Sequence, residues 1–139
     1  MARLSDSDWS KVTEAEQWSV GVTAHHIAGV PDGIAQIVKA LMAGQSPAAP
    51  FRLDMVDEMN AQHARDYARC TKAETIVLLQ RGAAVAAGVI RGLSADQLAR
   101  KGTVLADAPP MTAEDLITGG LLAHLDEYFG SIRKTVGHD

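Results

Sequence analysis

From Trp18 to Ala43 the apolar positions Val20, Ala24, Ile27, Ile34, Ile37, Val38 and Leu41 fall three and four residues apart. That period predicts an amphipathic helix. Pro31 lies inside it. Proline removes one backbone hydrogen bond and crowds the carbonyl of Ile27, so a kink or break is expected there. A second helix is predicted over Leu53 to Arg69, with Leu53, Val56, Asn60, His63 and Tyr67 facing inward. Its inward stripe therefore carries two polar side chains. Thr71 and Glu74 form the sequence of a capping box, which starts a third helix running to Leu93. The stripe there is Ile76, Leu79, Ala83, Ala86, Ile90 and Leu93, and its small middle predicts close helix approach at Ala83 and Ala86. Ser94 can cap a short turn through Leu98. Thr112 and Asp115 open the last helix, which runs to Val136 with Ile117, Leu121, His124, Tyr128 and Ile132 on one face. Gly119 and Gly120 weaken it locally.

No strand is expected, because Thr103 to Leu105 is too short to anchor a sheet. Breaker-rich loops are expected at Gly44 to Pro50 and Lys101 to Pro110. No repeat is visible. The expected fold is all-α, an antiparallel four-helix bundle filling one domain over residues 1–139.

Composition narrows the function classes. Apolar residues are 47% and charged residues 22%, which is globular composition. With 13 Lys and Arg against 17 Asp and Glu, the net charge is −4 and no basic run offers itself to nucleic-acid phosphates. No helix-turn-helix with a basic recognition helix is visible either. Cys70 is the one cysteine, so no internal disulfide is possible and a reducing cytoplasmic setting is expected. No run of 18 uninterrupted apolar residues predicts a membrane span. The opening residues Met1 to Asp8 hold no apolar core of a signal peptide. GxSxG, P-loop and GxGxxG motifs are absent.

Histidine is the informative residue type. Five occur, and His26, His63 and His124 fall on inward stripes of separate helices. His25 points about 100° away from His26 around the same helix. His138 belongs to the C-terminal tail and is expected to be exposed. Bundle cores host metal sites built from facing helices, and imidazole binds zinc and nickel. The alternative is a set of hydrogen-bonded core histidines. No HExxH or CxxC supports a zinc motif. Asn60 and His63 share a face, as a ligand with an orienting amide or as a mutually satisfied polar pair. Tyr128 lies one turn after His124, as a weak ligand, a hydrogen-bond donor or a core tyrosine. Asp126 and Glu127 read as a solvated face, and Cys70 as a structural thiol.

Two runs carry a family resemblance. Trp18-Ser19-Val20-Gly21 followed by His25-His26-Ile27-Ala28 resembles a W-[ST]-V-x-x-x-x-x-H-[LI] helix start. Leu121-Leu122-Ala123-His124, then Tyr128 and Ser131-Ile132-Arg133, resembles an H-x-x-x-H-x-x-S-I-R helix. Asn60-Ala61-Gln62-His63-Ala64 and Thr71-Lys72-Ala73-Glu74 lie between them in the expected order. The chain resembles, from Leu4 onward, the DinB-like superfamily that includes mycothiol-dependent maleylpyruvate isomerases. The resemblance implies a four-helix bundle with a divalent metal, zinc or nickel, held by one residue of the Trp-led helix and two of the last helix. These match His26 and His124, with the third falling on Tyr128, a departure from the family pattern. Tyrosine is a poor ligand unless ionised. Either His63 supplies the third ligand or the site is weakened or empty.

Relatives also carry a helix before the segment matching Leu4 to Trp9, so that first helix is expected to be absent or shortened. The groove this would leave predicts a homodimer. Two functions follow. One is a metal-dependent enzyme of the thiol-dependent transferase, isomerase or hydrolase type, with His26, His124 and His63 as ligands and Asn60, Tyr128 and His25 around them. A low-molecular-weight thiol would be its cofactor. The other is a non-catalytic small-molecule-binding or interaction protein with a degenerate metal site.

Overall fold

The structure, a computed structural model, describes residues 1–45 and 52–137. Most of the loop expected over Gly44 to Pro50, and His138 in the tail, lie outside the described residues. The fold is all-α. It consists of α1 (Asp6–Ser10), α2 (Val20–Met42), α3 (Leu53–Asp66), α4 (Lys72–Arg91), α5 (Ala95–Leu98), α6 (Ala113–Asp115) and α7 (His124–Val136). A π-helical stretch, Leu116–Ala123, joins α6 to α7 into one continuous element.

Local chemistry starts these helices. Capping boxes open α1 at Ser5 and Asp8, α4 at Thr71 and Glu74, α5 at Ser94 and Gln97, and α6 at Thr112 and Asp115. Each pair satisfies two backbone N–H groups that the first helical turn leaves without partners. Ser19 caps α2 by accepting from the Val22 N–H.

α2 is the central element. Val20, Ala24, Ile27, Ala28, Ala35, Val38 and Leu41 are all buried, and α4, the π stretch and α7 pack around it. Leu4, Val20, Ala24, Ile27 and Ile132 form the core at one end, and Val38, Leu41, Val104, Ala113, Leu116 and Ile117 form it at the other. Ala35, Ala86 and Leu121 link them.

Several expectations need correction. The break at Pro31 does not occur: α2 is one helix from Val20 to Met42, with the proline buried. α4 approaches this turn closely. A Cβ on Gly82 would lie 3.3 Å from the Asp32 nitrogen and 3.5 Å from the Ala28 oxygen. The small positions of the contact are therefore Gly82 and Ala86, and Ala83 faces solvent. Ala86 keeps its expected place and Gly82 takes that of Ala83, because a glycine, with no side chain, admits the neighbouring backbone best.

α3 departs most from its expected packing. None of its residues is buried, and Leu53 is 56% exposed. Val56, Asn60 and His63 are half-buried, and Tyr67 is exposed. A stripe holding an amide and an imidazole offers little apolar area to drive burial. A two-residue antiparallel ribbon pairs Lys101–Gly102 with Met111–Thr112, where no strand was expected. Between its strands, Val104 reaches the core beside Leu41, so this loop contributes to packing. α4 is long and apolar enough, by composition, to cross a membrane, although Thr75, Gly82 and Ala86 are buried within the fold.

Candidate functional site

Four imidazoles gather where α2, α3 and the start of α7 meet. His26 comes from α2, His63 from α3 and His124 from the first position of α7. The Nε2 atoms of His26 and His124 lie 3.4 Å apart. His25, the residue before His26 in α2, meets His63 through an Nδ1···Nε2 contact of 3.0 Å. The two pairs adjoin, with the His26 and His63 rings 5.3 Å apart between centres. All three histidines expected as ligands thus share one cluster, arranged as two pairs with His25 as the fourth member.

Aromatic residues enclose the cluster. Trp18 meets His26 edge-on at 5.5 Å. Tyr128 lies 4.6 Å from His124 and 5.1 Å from His26. Tyr67 stacks on His25 at 3.9 Å with 22° between the ring planes. Asn60 lines a cavity of about 410 Å³ together with Glu16, Trp18 and Tyr128. Glu16 is held there by Ser131, whose hydroxyl donates to its carboxylate at 2.7 Å. Glu16 and the stacking role of Tyr67 have no counterpart in the sequence reading. Glu16 lies in a loop without periodicity, and Tyr67 reads as one more member of an apolar stripe. Trp18 was legible only as part of a motif.

The electrostatics keep the imidazoles neutral. Burial lowers His26 from 6.5 to about 4, aided by neighbouring His63 and His124 and opposed by Glu16. Burial also lowers His25, His63 and His124. Tyr128 is pushed upward by burial and then by the carboxylates of Glu16 and Glu127, so it stays a phenol. Cys70 stands apart from the cluster. Its thiol donates to the Gly21 carbonyl at 3.2 Å, and burial raises its pKa. A raised pKa disfavours the thiolate, in keeping with a structural cysteine. Asp126 and Glu127 are exposed, as a solvated face should be.

The lock beside Cys70 positions the site. The Trp9 indole N–H donates to the Cys70 carbonyl at 3.1 Å. The same indole lies against the Cα of Gly21, where any Cβ would collide with it. Trp9, Gly21 and Cys70 thereby pin the start of α2, and with it His25 and His26, to the corner between α3 and α4.

The donor set can be tested against a divalent metal. Zinc–nitrogen bonds of 2.0–2.1 Å at tetrahedral angles separate two ligand nitrogens by roughly 3.4 Å. The His26 and His124 pair matches that separation. Neutral imidazoles carry the lone pairs such a metal needs. The pair therefore fits two positions. Among the described residues, no set of three His, Cys, Asp or Glu side chains converges to hold a metal unaided. His63 Nδ1 is buried without a hydrogen-bond partner.

Neither a search of curated proteins nor one of solved structures returned a match. A family model described as the mycothiol maleylpyruvate isomerase N-terminal domain matches residues 1–124, from the N-terminal segment through His124. By that match, and with an all-α fold that agrees with it, the chain belongs to the mycothiol maleylpyruvate isomerase N-terminal, DinB-like family.

Proposed function

We propose that the domain binds one divalent transition metal, zinc or nickel, at the facing imidazoles of His26 and His124, with His63 as the third nitrogen. It works with a low-molecular-weight thiol in transfer or isomerisation chemistry. The single observation that carries this reading is the 3.4 Å between the two Nε2 atoms. Membership of a family named for a mycothiol enzyme supports the thiol. When bound, such a metal lowers the pKa of a thiol or water in contact with it.

The chain's own residues supply the setting. Burial holds the imidazoles neutral, so their lone pairs stay available. Tyr128, held as a phenol, donates a hydrogen bond to a ligand beside His124. Asn60 offers an amide donor and acceptor from the cavity wall, and Trp18 shields His26 from water. The test is calorimetry with N-acetylcysteine as the thiol probe. Thiol binding that needs zinc and releases a proton, and is lost in His124→Ala, supports the reading. Equal binding with and without zinc contradicts it.

A second reading is favoured by one observation, the phenol of Tyr128 where the family pattern calls for a ligand. In that reading the pocket holds a small molecule without reacting it. Zinc-independent binding of the thiol probe is its signature. Both readings keep a homodimer, supported by the exposed Met55 and Met59 on α3.

A further inference from the structure

We propose that the cavity walled by Glu16, Trp18, Asn60 and Tyr128 binds an organic ammonium ion, with the Glu16 carboxylate as counter-charge and the two aromatic rings against the apolar body of the ligand. The proposal needs no metal and holds under either reading of the imidazoles. At about 410 Å³ the cavity has the size of a small-molecule site. Its charged lining is all of one sign: Glu16, Asp57 and Glu127. Among the described residues, no lysine or arginine pairs with any of the three. Lys134, one turn after Ser131 in α7, pairs instead with Glu14 at 2.7 Å. Burial keeps the adjoining His26 and His124 neutral, so they add no positive charge.

Glu16 is held in place for this role. Ser131 donates to its Oε2 at 2.7 Å, which orients the carboxylate and leaves Oε1 for a ligand. The charge is felt at the inner wall, where the Tyr128 phenol is pushed upward by burial and then by Glu16 and Glu127. Carboxylates without partners repel one another, and a cation among them relieves that repulsion. A bare metal ion does not suit the acidic wall, since no three carboxylates of the described residues converge on one point. An ammonium group suits it. Its N–H donors match the Glu16 carboxylate and the Asn60 amide oxygen. Aromatic faces attract a cation that carries a carbon skeleton, and Trp18 and Tyr128 supply them. A carboxylate ligand of the same size would meet three negative charges, so the same wall selects against anions.

The test is titration of the full chain in chelator with three probes of one shape: 2-phenylethylamine, 2-phenylethanol and 3-phenylpropionate. Calorimetry should show the amine binding once per chain and at least about tenfold more tightly than the alcohol or the acid. Proton–nitrogen NMR should show the Trp18 indole N–H shifting with the amine while that of Trp9 stays in place. Glu16→Gln keeps an acceptor for Ser131 and removes the charge, so it should weaken amine binding about tenfold or more. Asp96→Asn removes the same charge from α5, whose Leu98 packs at the opposite end of the core, and should leave the affinity unchanged. Circular dichroism checks the fold of both variants. If Glu16→Gln does not fold, the three probes and the Trp18 shift on the wild type decide. An amine that does not bind, or binds no better than the alcohol, overturns the proposal. So does amine binding that leaves Trp18 unmoved, or equal weakening in the two variants. Because zinc is absent throughout, each of these results leaves the metal reading to its own test.

Discussion

His26 and His124 are 98 positions apart in the chain, and their Nε2 atoms stand 3.4 Å apart. Each is placed by a different device. His26 is carried by the most buried helix of the fold, whose N-terminal end is pinned by the Trp9 indole across Gly21. His124 is the first residue after the π-helical stretch Leu116–Ala123. A π turn holds more residues than an α turn, so the stretch changes the direction in which every later side chain projects. π segments are frequent at functional sites, and this one ends at the candidate ligand.

The phenol at position 128 limits the ligand set. Tyr128 lies 4.6 Å from His124, on the face that already holds His26. Tyr128→His should raise zinc affinity by at least about tenfold, or roughly 1.4 kcal/mol. Competition with a chromogenic chelator measures it. Unchanged affinity would show that this position does not face the metal.

Acid should destabilise the metal-free protein through its imidazoles. His26 titrates at about 4 when folded and 6.5 when free. Between those values the unfolded chain binds a proton that the folded chain does not. The stability from neutral His26 is thus fully present above 6.5 and is lost as the pH falls toward 4. His25, His63 and His124 shift in the same direction and add to the slope. Thermal melts in chelator should show Tm falling over this window, and falling less in His26→Gln. Equal slopes for both proteins would contradict the assignment.

The indole lock should be intolerant of added volume. A Cβ at Gly21 would collide with Trp9, so Gly21→Ala should destabilise by about 1–3 kcal/mol. Urea unfolding checks this. Because the lock holds the start of α2, the zinc affinity of the variant should also fall.

Met55 is 53% exposed and Met59 44% exposed, one turn apart on α3. Light scattering on the purified protein should give twice the monomer mass. The double variant Met55→Glu, Met59→Glu should give the monomer mass with unchanged helicity. A wild-type monomer at all concentrations would contradict the dimer.

Much of the fold was legible because helix periodicity and capping are local. Thr71 with Glu74 and Thr112 with Asp115 start helices where their spacing says they should. The meeting of His26, His63 and His124 also followed from their stripes. What was not legible depends on tertiary geometry. The passage of α2 through Pro31 goes with the close approach of α4 at Gly82. The π stretch has only Gly119 and Gly120 as a local sign, and these read equally well as weak α-helix. The pairing of His25 with His63 requires α3 to lie beside α2 at one register, which no spacing within either helix encodes.

The most direct test of the account is zinc stoichiometry in the purified chain, measured by elemental analysis after zinc loading and dialysis, beside His26→Ala and His124→Ala. The account predicts close to one zinc per chain in the wild type, lost in both variants while their circular dichroism stays helical. A wild type that retains no zinc, or variants that retain it fully, would contradict it.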